Sequence, residues 1–303
     1  MKPFDRRTLL TATAATLTAG RLLGDESTDR SDVVPRHGVF TKPLLSLSDA
    51  DMAGTVRDLG LGGVEFLVRS GGRIEPAEAP ERIAGLVATL RDAGVEPLIM
   101  ASDINDPDDP LTERILRAAV EADVPRYRMR YFRYERGVDL KRQLDRWAGM
   151  MKDLAAMNRD LGIAGLYQNH ADYRFMSGPI WDLDRVLDGV DPDDIGVAYD
   201  LRHATVEGGR TWQLDWELIR PRVRAFYVKD FRWTPEGDLR NVPLGEGFVD
   251  LGFYGRLDET ERQYPTLIHV EYYDHTDPSN VPKFVEAYRR DYATLRRALA
   301  PTS

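Results

Sequence analysis

Ile195-Gly-Val-Ala-Tyr-Asp-Leu-Arg-His203 reads as a short apolar strand that ends in a carboxylate, with an imidazole three residues further on. An α/β barrel keeps its chemistry at the carboxyl ends of its buried parallel strands, which is where this reading puts Asp200 and His203. The same form recurs in the second half of the chain. Leu166-Tyr-Gln-Asn-His170, Phe226-Tyr-Val-Lys-Asp230 and Leu267-Ile-His-Val-Glu271 are also apolar runs closing on groups that bind metals, protons or sugars. Core filling does not explain four such endings, so they read as one site.

Working outward, strand-like runs at 38–42, 63–68, 95–101, 126–131, 163–169, 195–200, 223–229 and 266–272 alternate with helical patterns. The clearest helical stripe is Leu140, Leu144, Trp147, Met151, Leu154 and Leu161, and it stops at Gly162. Gly60, Gly94 and Gly162 each stand just before a strand, where a residue without Cβ accepts the left-handed helix cap at least cost. Eight strands alternating with eight helices predict an α/β fold, a single-domain (β/α)8 TIM barrel over residues 37–300. A doubly wound open sheet fits less well. No Gly-x-Gly-x-x-Gly turn follows the first strand, and functional groups follow many strands rather than one switch point.

The 303 residues carry a net charge of −9, with 42% hydrophobic and 30% charged residues. This reads as a soluble globular protein and argues against a nucleic-acid surface, which needs a basic stripe. Zero cysteines exclude disulfides, thiolate metal sites and a cysteine nucleophile. No Gly-x-Ser-x-Gly elbow supports a serine hydrolase. At the amino end, Phe4-Asp-Arg-Arg-Thr-Leu-Leu10 precedes a mildly apolar Ala/Thr-rich run. The pattern predicts a twin-arginine-type export signal over 1–24, a polar linker over 25–36 and a periplasmic protein with no membrane span. A homo-oligomer is compatible with the sequence.

The strand endings offer Lys42, Glu65, Ser102 and Asp103, the Arg cluster Arg128, Arg130 and Arg133, and then Gln168, Asn169 and His170. Asp200, His203, Lys229, Asp230, His269 and Glu271 complete the set. With Gly63-Val-Glu-Phe66, Gln168-Asn-His170, Tyr199-Asp-Leu-Arg-His203, Val228-Lys-Asp230, Pro243-Leu-Gly-Glu-Gly247 and Val270-Glu271 in this order, the chain resembles the xylose-isomerase-like barrel family. That family includes sugar-phosphate isomerases and epimerases, inosose dehydratases and endonuclease-IV-type enzymes.

In the epimerase branch a Glu, an Asp, a His and a Glu from strands five to eight hold one divalent metal, and the two glutamates exchange the proton next to a substrate carbonyl. The resemblance implies Asp200 and Glu271 as two of these ligands and His203 as a substrate contact. Gln168 stands where the first Glu is expected, and Tyr227 where the His is expected. Gln offers a carbonyl oxygen to a metal but carries no proton as a base. The expectation is therefore a weakened site for Mn, Mg, Co or Zn on Gln168, Asp200 and Glu271. Glu271 would be the base, with Lys229 polarising the carbonyl, and His203, His170, Asn169, Glu65, Arg130, Tyr227 and Asp230 would contact substrate.

The function implied is a metal-assisted isomerase, epimerase or lyase acting on a sugar or keto-sugar. A non-catalytic sugar-binding barrel is the alternative. An endonuclease-IV-type enzyme fits poorly, because a trinuclear zinc site needs many histidines and the whole chain has 5. Trp212, Trp216 and Trp233 are candidates for stacking on sugar rings, and Gly208-Gly209 and Gly245-Glu-Gly247 for loops that close over substrate.

Overall fold

The computed structural model describes residues 34–300; the expected export signal lies outside them, as does most of the expected linker. Eight parallel strands close into a barrel: β1 (Val34–Phe40), β2 (Leu61–Val68), β3 (Glu96–Ser102), β4 (Arg126–Arg128), β5 (Ala164–Gln168), β6 (Ile195–Asp200), β7 (Val223–Val228) and β10 (Thr266–Ile268). Each of the eight pairs with its successor around the barrel, and β10 returns to β1. Two further strands, β8 (Asp230–Trp233) and β9 (Leu239–Val242), form an antiparallel hairpin inserted after β7.

The helices are α1 (Asp49–Asp58), α2 (Ala79–Asp92), α3 (Pro110–Glu121), α4 (Leu140–Leu161), α5 (Ile180–Val186), α6 (Leu201–Gly208), α7 (Trp212–Ile219), α8 (Gly252–Gly255) and α9 (Val281–Leu299). Where sequence alternation predicts eight helices, the described residues hold nine, because two follow β6; the helix between β7 and β10 is a single turn. None is long and apolar enough to cross a membrane among the described residues.

The strands are apolar on both faces, and the two faces meet different partners. Val197 and Tyr199 of β6, Tyr167 of β5, and Phe226 and Val228 of β7 join the large core between strands and helices. Their alternates Ala198, Leu166, Ala225 and Tyr227 pack with Ile99 and Leu267 inside the barrel. A period of two therefore decides which residues reach the axis. At the carboxyl end the same inward file changes from apolar to ionic, and that change makes the site.

Helix ends follow the sequence signals. Asp139 caps α4 by accepting from the Arg142 amide, and Gly162 ends it at φ 78°, with its amide on the Asn158 carbonyl. The stripe Leu144, Trp147, Met151 and Leu154 is buried between them, and Leu140 stays exposed.

His37, on β1, faces α9, with its ring edge-on to Tyr292. Burial, reinforced by Arg36 and Arg296, lowers its pKa to about 4. An unfolded histidine titrates near ~6.5. A group depressed in this way stabilises the fold fully above that value and loses the contribution as the pH falls towards 4. The shift corresponds to about 3 kcal/mol. His37→Phe, which keeps the ring contact, should therefore lose less stability than wild type between about pH 7 and about pH 4.5 in thermal unfolding. Parallel losses in the two proteins would refute this.

Candidate active site

Three carboxylates enter the barrel mouth from β2, β6 and the segment after β10, each within reach of a cation. Glu65 is completely buried. Its Oε1 accepts from Arg128 Nε at 2.6 Å and from the Tyr227 hydroxyl at 3.0 Å, and its Oε2 lies 3.0 Å from His269 Nε2. Burial opposes its ionisation, but Arg128, His269 and Tyr227 outweigh that and hold the Glu65 carboxyl at about 2. Arg128 continues the network through Nη1, which donates to Gln168 Oε1 at 2.9 Å and to the Tyr131 hydroxyl at 3.0 Å. Tyr131 in turn donates to the same Gln168 oxygen.

Asp200 is also fully buried, and it does two jobs. Its Oδ1 accepts from the His203 amide and caps α6, while its Oδ2 accepts from Gln168 Nε2 at 2.7 Å and lies 3.2 Å from Lys229 Nζ. Asn169 braces the backbone beside it, donating to the Asp200 carbonyl and accepting from the Asp200 amide. Lys229 also reaches both Glu271 oxygens, at 3.1 and 3.3 Å. Burial works against its ammonium, but Asp200 and Glu271 raise its pKa above the usual lysine value. Glu271 differs from the other two carboxylates in access, since 36% of its side chain faces solvent. Although burial pushes the other way, Lys229 and His269 hold its carboxyl well below the usual range.

His203 and His170 stack beside Asp200. His203 Nδ1 accepts from the Ala171 amide at 3.1 Å and lies 3.0 Å from Arg202 Nη1, which leaves the proton on Nε2. That buried Nε2 has no hydrogen-bond partner and sits 3.6 Å from Asp200 Oδ2. Burial, then Lys229 and His170, drive its pKa well below that of a free histidine. His170 packs over the same ring at 4.0 Å, its Nδ1 2.8 Å from the Ala171 carbonyl, and burial brings it to about 4. Both rings are therefore neutral near neutral pH.

The expected divalent cage does not fit this donor set. The Lys229 ammonium sits within 3.2 Å of both Asp200 and Glu271, so the position that joins them already carries a positive charge. Gln168 turns its NH2, not its oxygen, toward Asp200, and its oxygen is taken by Arg128 and Tyr131. Tyr227 lies one layer deeper on Glu65. Among the described residues no three His, Asp or Glu side chains converge as metal ligands. As they stand, Gln168, Asp200 and Glu271 are held by Lys229, Arg128 and Tyr131 and do not turn their oxygens to one shared point.

Two other residues of the expected set stand apart from this cluster. Asp230 is turned to backbone donors. Its oxygens accept the amides of Phe231, Gly245, Gly247 and Val249, which fills its acceptor sites and ties the Gly245–Gly247 loop to β8. A Cβ at Gly247 would collide with that carboxylate. Arg130 lies beyond the strand end, exposed, in a separate groove with Asp103 and Asp106. It is Arg128, two residues earlier, that enters the site.

The other residues expected at the site do converge, namely Glu65, Gln168, Asn169, His170, Asp200, His203, Tyr227, Lys229 and Glu271. Tyr131 and Arg202 join them; Tyr131 ends the strand-like run 126–131, but that run is rich in arginine rather than apolar, and Arg202 lies in the first turn of α6. Of the tryptophans, Trp212 and Trp216 pack against Phe253, whereas Trp233 is exposed on β8. Trp233 lines a cleft of about 460 Å³ with Tyr272, Tyr273 and Asn241. Asn241 links this cleft to the site, donating to the Glu271 carbonyl and accepting from Arg202.

Solved structures share this fold at low identity. A 3-keto-D-glucoside 4-epimerase from E. coli superposes with a TM-score of 0.63 at 14% identity, over 86% of this chain and 99% of its own. A D-psicose 3-epimerase solved in the presence of D-fructose gives 0.62 at 16%, over 87% and 99%. A xylose isomerase-like TIM barrel protein from Mycobacterium smegmatis, in complex with magnesium, gives 0.61 at 16%, over 88% and 98%. No curated protein is a significant sequence match to this chain. The family described as Xylose isomerase-like TIM barrel matches residues 54–298. With its closed eight-stranded barrel and its ionic carboxyl-end mouth, this chain belongs to the xylose isomerase-like TIM barrel family.

Proposed function

We propose that the protein is a sugar-modifying enzyme that moves a proton next to the carbonyl of a keto-sugar, acting after twin-arginine export. The observation that carries this reading is the pair of Lys229 and Glu271. A buried ammonium lies 3.1 Å from a carboxylate that opens to solvent at the barrel mouth. The sugar epimerases that share the fold support the substrate class.

The chemistry follows from the two groups. The substrate carbonyl oxygen takes one of the Lys229 N–H donors. Glu271 removes the proton from the adjacent carbon, and the electron pair moves through the new C=C bond onto the oxygen, where the ammonium stabilises the enolate. Returning the proton to the former carbonyl carbon, while the neighbouring hydroxyl passes its proton to the enolate oxygen and becomes the new carbonyl, completes an isomerisation. Expelling a β-hydroxyl as water completes an elimination. Asp200 and Glu65 have their oxygens tied by buried donors, so neither serves as a second base on the opposite face. A one-base reaction is favoured over symmetric epimerisation. Lys229 supplies the positive charge that a cation supplies elsewhere, and the cleft beside Trp233 and Tyr273 offers aromatic faces to the rest of the sugar.

The test is solvent exchange. Incubated in D2O with a panel of ketoses and 3-keto-glucosides, the protein should incorporate deuterium next to a carbonyl of at least one, read by proton NMR, and a chelator should leave the rate unchanged. Absence of exchange across the panel would reject the enzyme reading. Exchange that a chelator stops would reject the role given to Lys229.

A further inference from the structure

The other side of the mouth holds cations that the proton-transfer chemistry does not use. Phe40, at the end of β1, stacks on His269 with ring centroids 4.7 Å apart. Two guanidinium groups approach the same Phe40 ring. Arg69, just past β2, lies 5.7 Å from its centroid, and Arg128, from β4, lies 5.2 Å from it. Lys42 follows Phe40 by two residues and is half-buried, like Arg69.

Their pairing is incomplete. Arg128 has Glu65 on Nε and Gln168 with Tyr131 on Nη1, but its buried Nη2 has no partner. The Arg128 side chain is only 6% exposed. Neither Lys42 nor Arg69 forms an ion pair with a described carboxylate, and the nearby Asp103 is engaged by the Ser70 amide at 2.8 Å. Burial, followed by the charge of the neighbouring guanidinium groups, lowers both Lys42 and Arg69 from their ordinary values. Half-buried like charges without counter-charges cost free energy in the empty site, and an anion placed among them relieves that cost.

We propose that Lys42, Arg69 and the free Nη2 of Arg128 form a recognition site for an anionic group, a carboxylate or a phosphate, carried by the substrate. This deepens the proton-transfer reading and rests on it for the word substrate; the anion site itself stands on the three cations. Arginine presents a planar fork to such oxyanions, and Lys42 adds a mobile point charge. Phe40 stacks on His269, whose Nδ1 lies 3.6 Å from Glu271, so the anionic end of the substrate and its reacting carbon share one mouth. The substrate class that fits is an acidic or phosphorylated keto-sugar, in preference to a neutral one.

The experiment is a calorimetric titration of the full protein with inorganic phosphate, with acetate and with neutral D-fructose, at low ionic strength. Wild type should bind phosphate or acetate, and whichever binds tighter identifies the source of the charge. Arg69→Ala should weaken that binding about tenfold or more, and Lys42→Ala should weaken it less. Arg69→Lys should recover part of the loss, and the thermal midpoints should stay near wild type. No binding of either anion, or binding unchanged in Arg69→Ala, would overturn the site. Because no turnover enters this measurement, its failure leaves the exchange test on neutral ketoses standing. Failure of exchange likewise leaves anion binding to be judged by itself.

Discussion

Glu271→Gln is expected to lower turnover by about 10²- to 10⁴-fold while the barrel stays folded. The size of the effect follows from what else is in the mouth. Asp200 and Glu65 are fully buried, and each oxygen is already engaged by a donor or cation. Glu271 alone of the three reaches solvent, so only it can meet a C–H bond of a bound sugar. In the free enzyme the ammonium of Lys229 and the ring of His269 keep it a weak base. A carbonyl that takes the Lys229 donor draws the ammonium away from Glu271, and basicity returns when substrate is in place. The fold should survive because Lys229 keeps Asp200 at 3.2 Å. Steady-state deuterium incorporation measures the first claim and thermal unfolding the second. Retention of more than about a tenth of the wild-type rate would remove Glu271 as the base.

The barrel is legible because its strands are punctuated. β6 matches the expected run 195–200 residue for residue, since the Asp191-Pro-Asp-Asp turn precedes it and Asp200 caps α6 immediately after. β4 and β10 are shorter than their apolar runs. Arg130, His269 and Glu271 lie beyond the last paired positions, and hydrogen bonds such as Met129 to Leu166 continue without a full ladder. The β8–β9 hairpin is not among the expected elements, although Thr234-Pro-Glu-Gly-Asp238 between two short runs is a turn signal, with Gly237 at φ 89°. The alternating pattern favours a helix after each barrel strand, and two four-residue strands are too short to outweigh it.

The site is legible as a set of residues and less so as a set of partners. Strand-end position locates Asp200, Lys229 and Glu271. What sequence cannot order is depth along the barrel axis. Tyr227 and Lys229 share one face, two residues apart. The tyrosine at the expected ligand position bonds Glu65 in the lower layer, and the lysine above it reaches the carboxylates instead. Arg128 and Arg130 repeat the problem, because one step of two carries the side chain from the buried network to the outer lip.

Arg128→Met should be the most destabilising single change in the mouth, by about 3–5 kcal/mol. At roughly 2–4 °C per kcal/mol for a domain of this size, the thermal midpoint should fall by about 10 °C. The loss comes from Glu65 more than from the arginine. With Arg128 gone, a carboxylate with no exposed surface keeps only Tyr227 and His269 as donors, and Gln168 and Tyr131 lose the cation that orients them. Glu65→Gln alone leaves the mirror-image defect, a guanidinium buried without its counter-charge. The double variant Glu65→Gln, Arg128→Met removes both charges, so its cost should fall well short of the sum of the singles, with a coupling of about 1–3 kcal/mol in a double-mutant cycle. Strict additivity would show that the two groups do not depend on each other. Strong coupling would show that each of the two charges is tolerated in the core because the other is there.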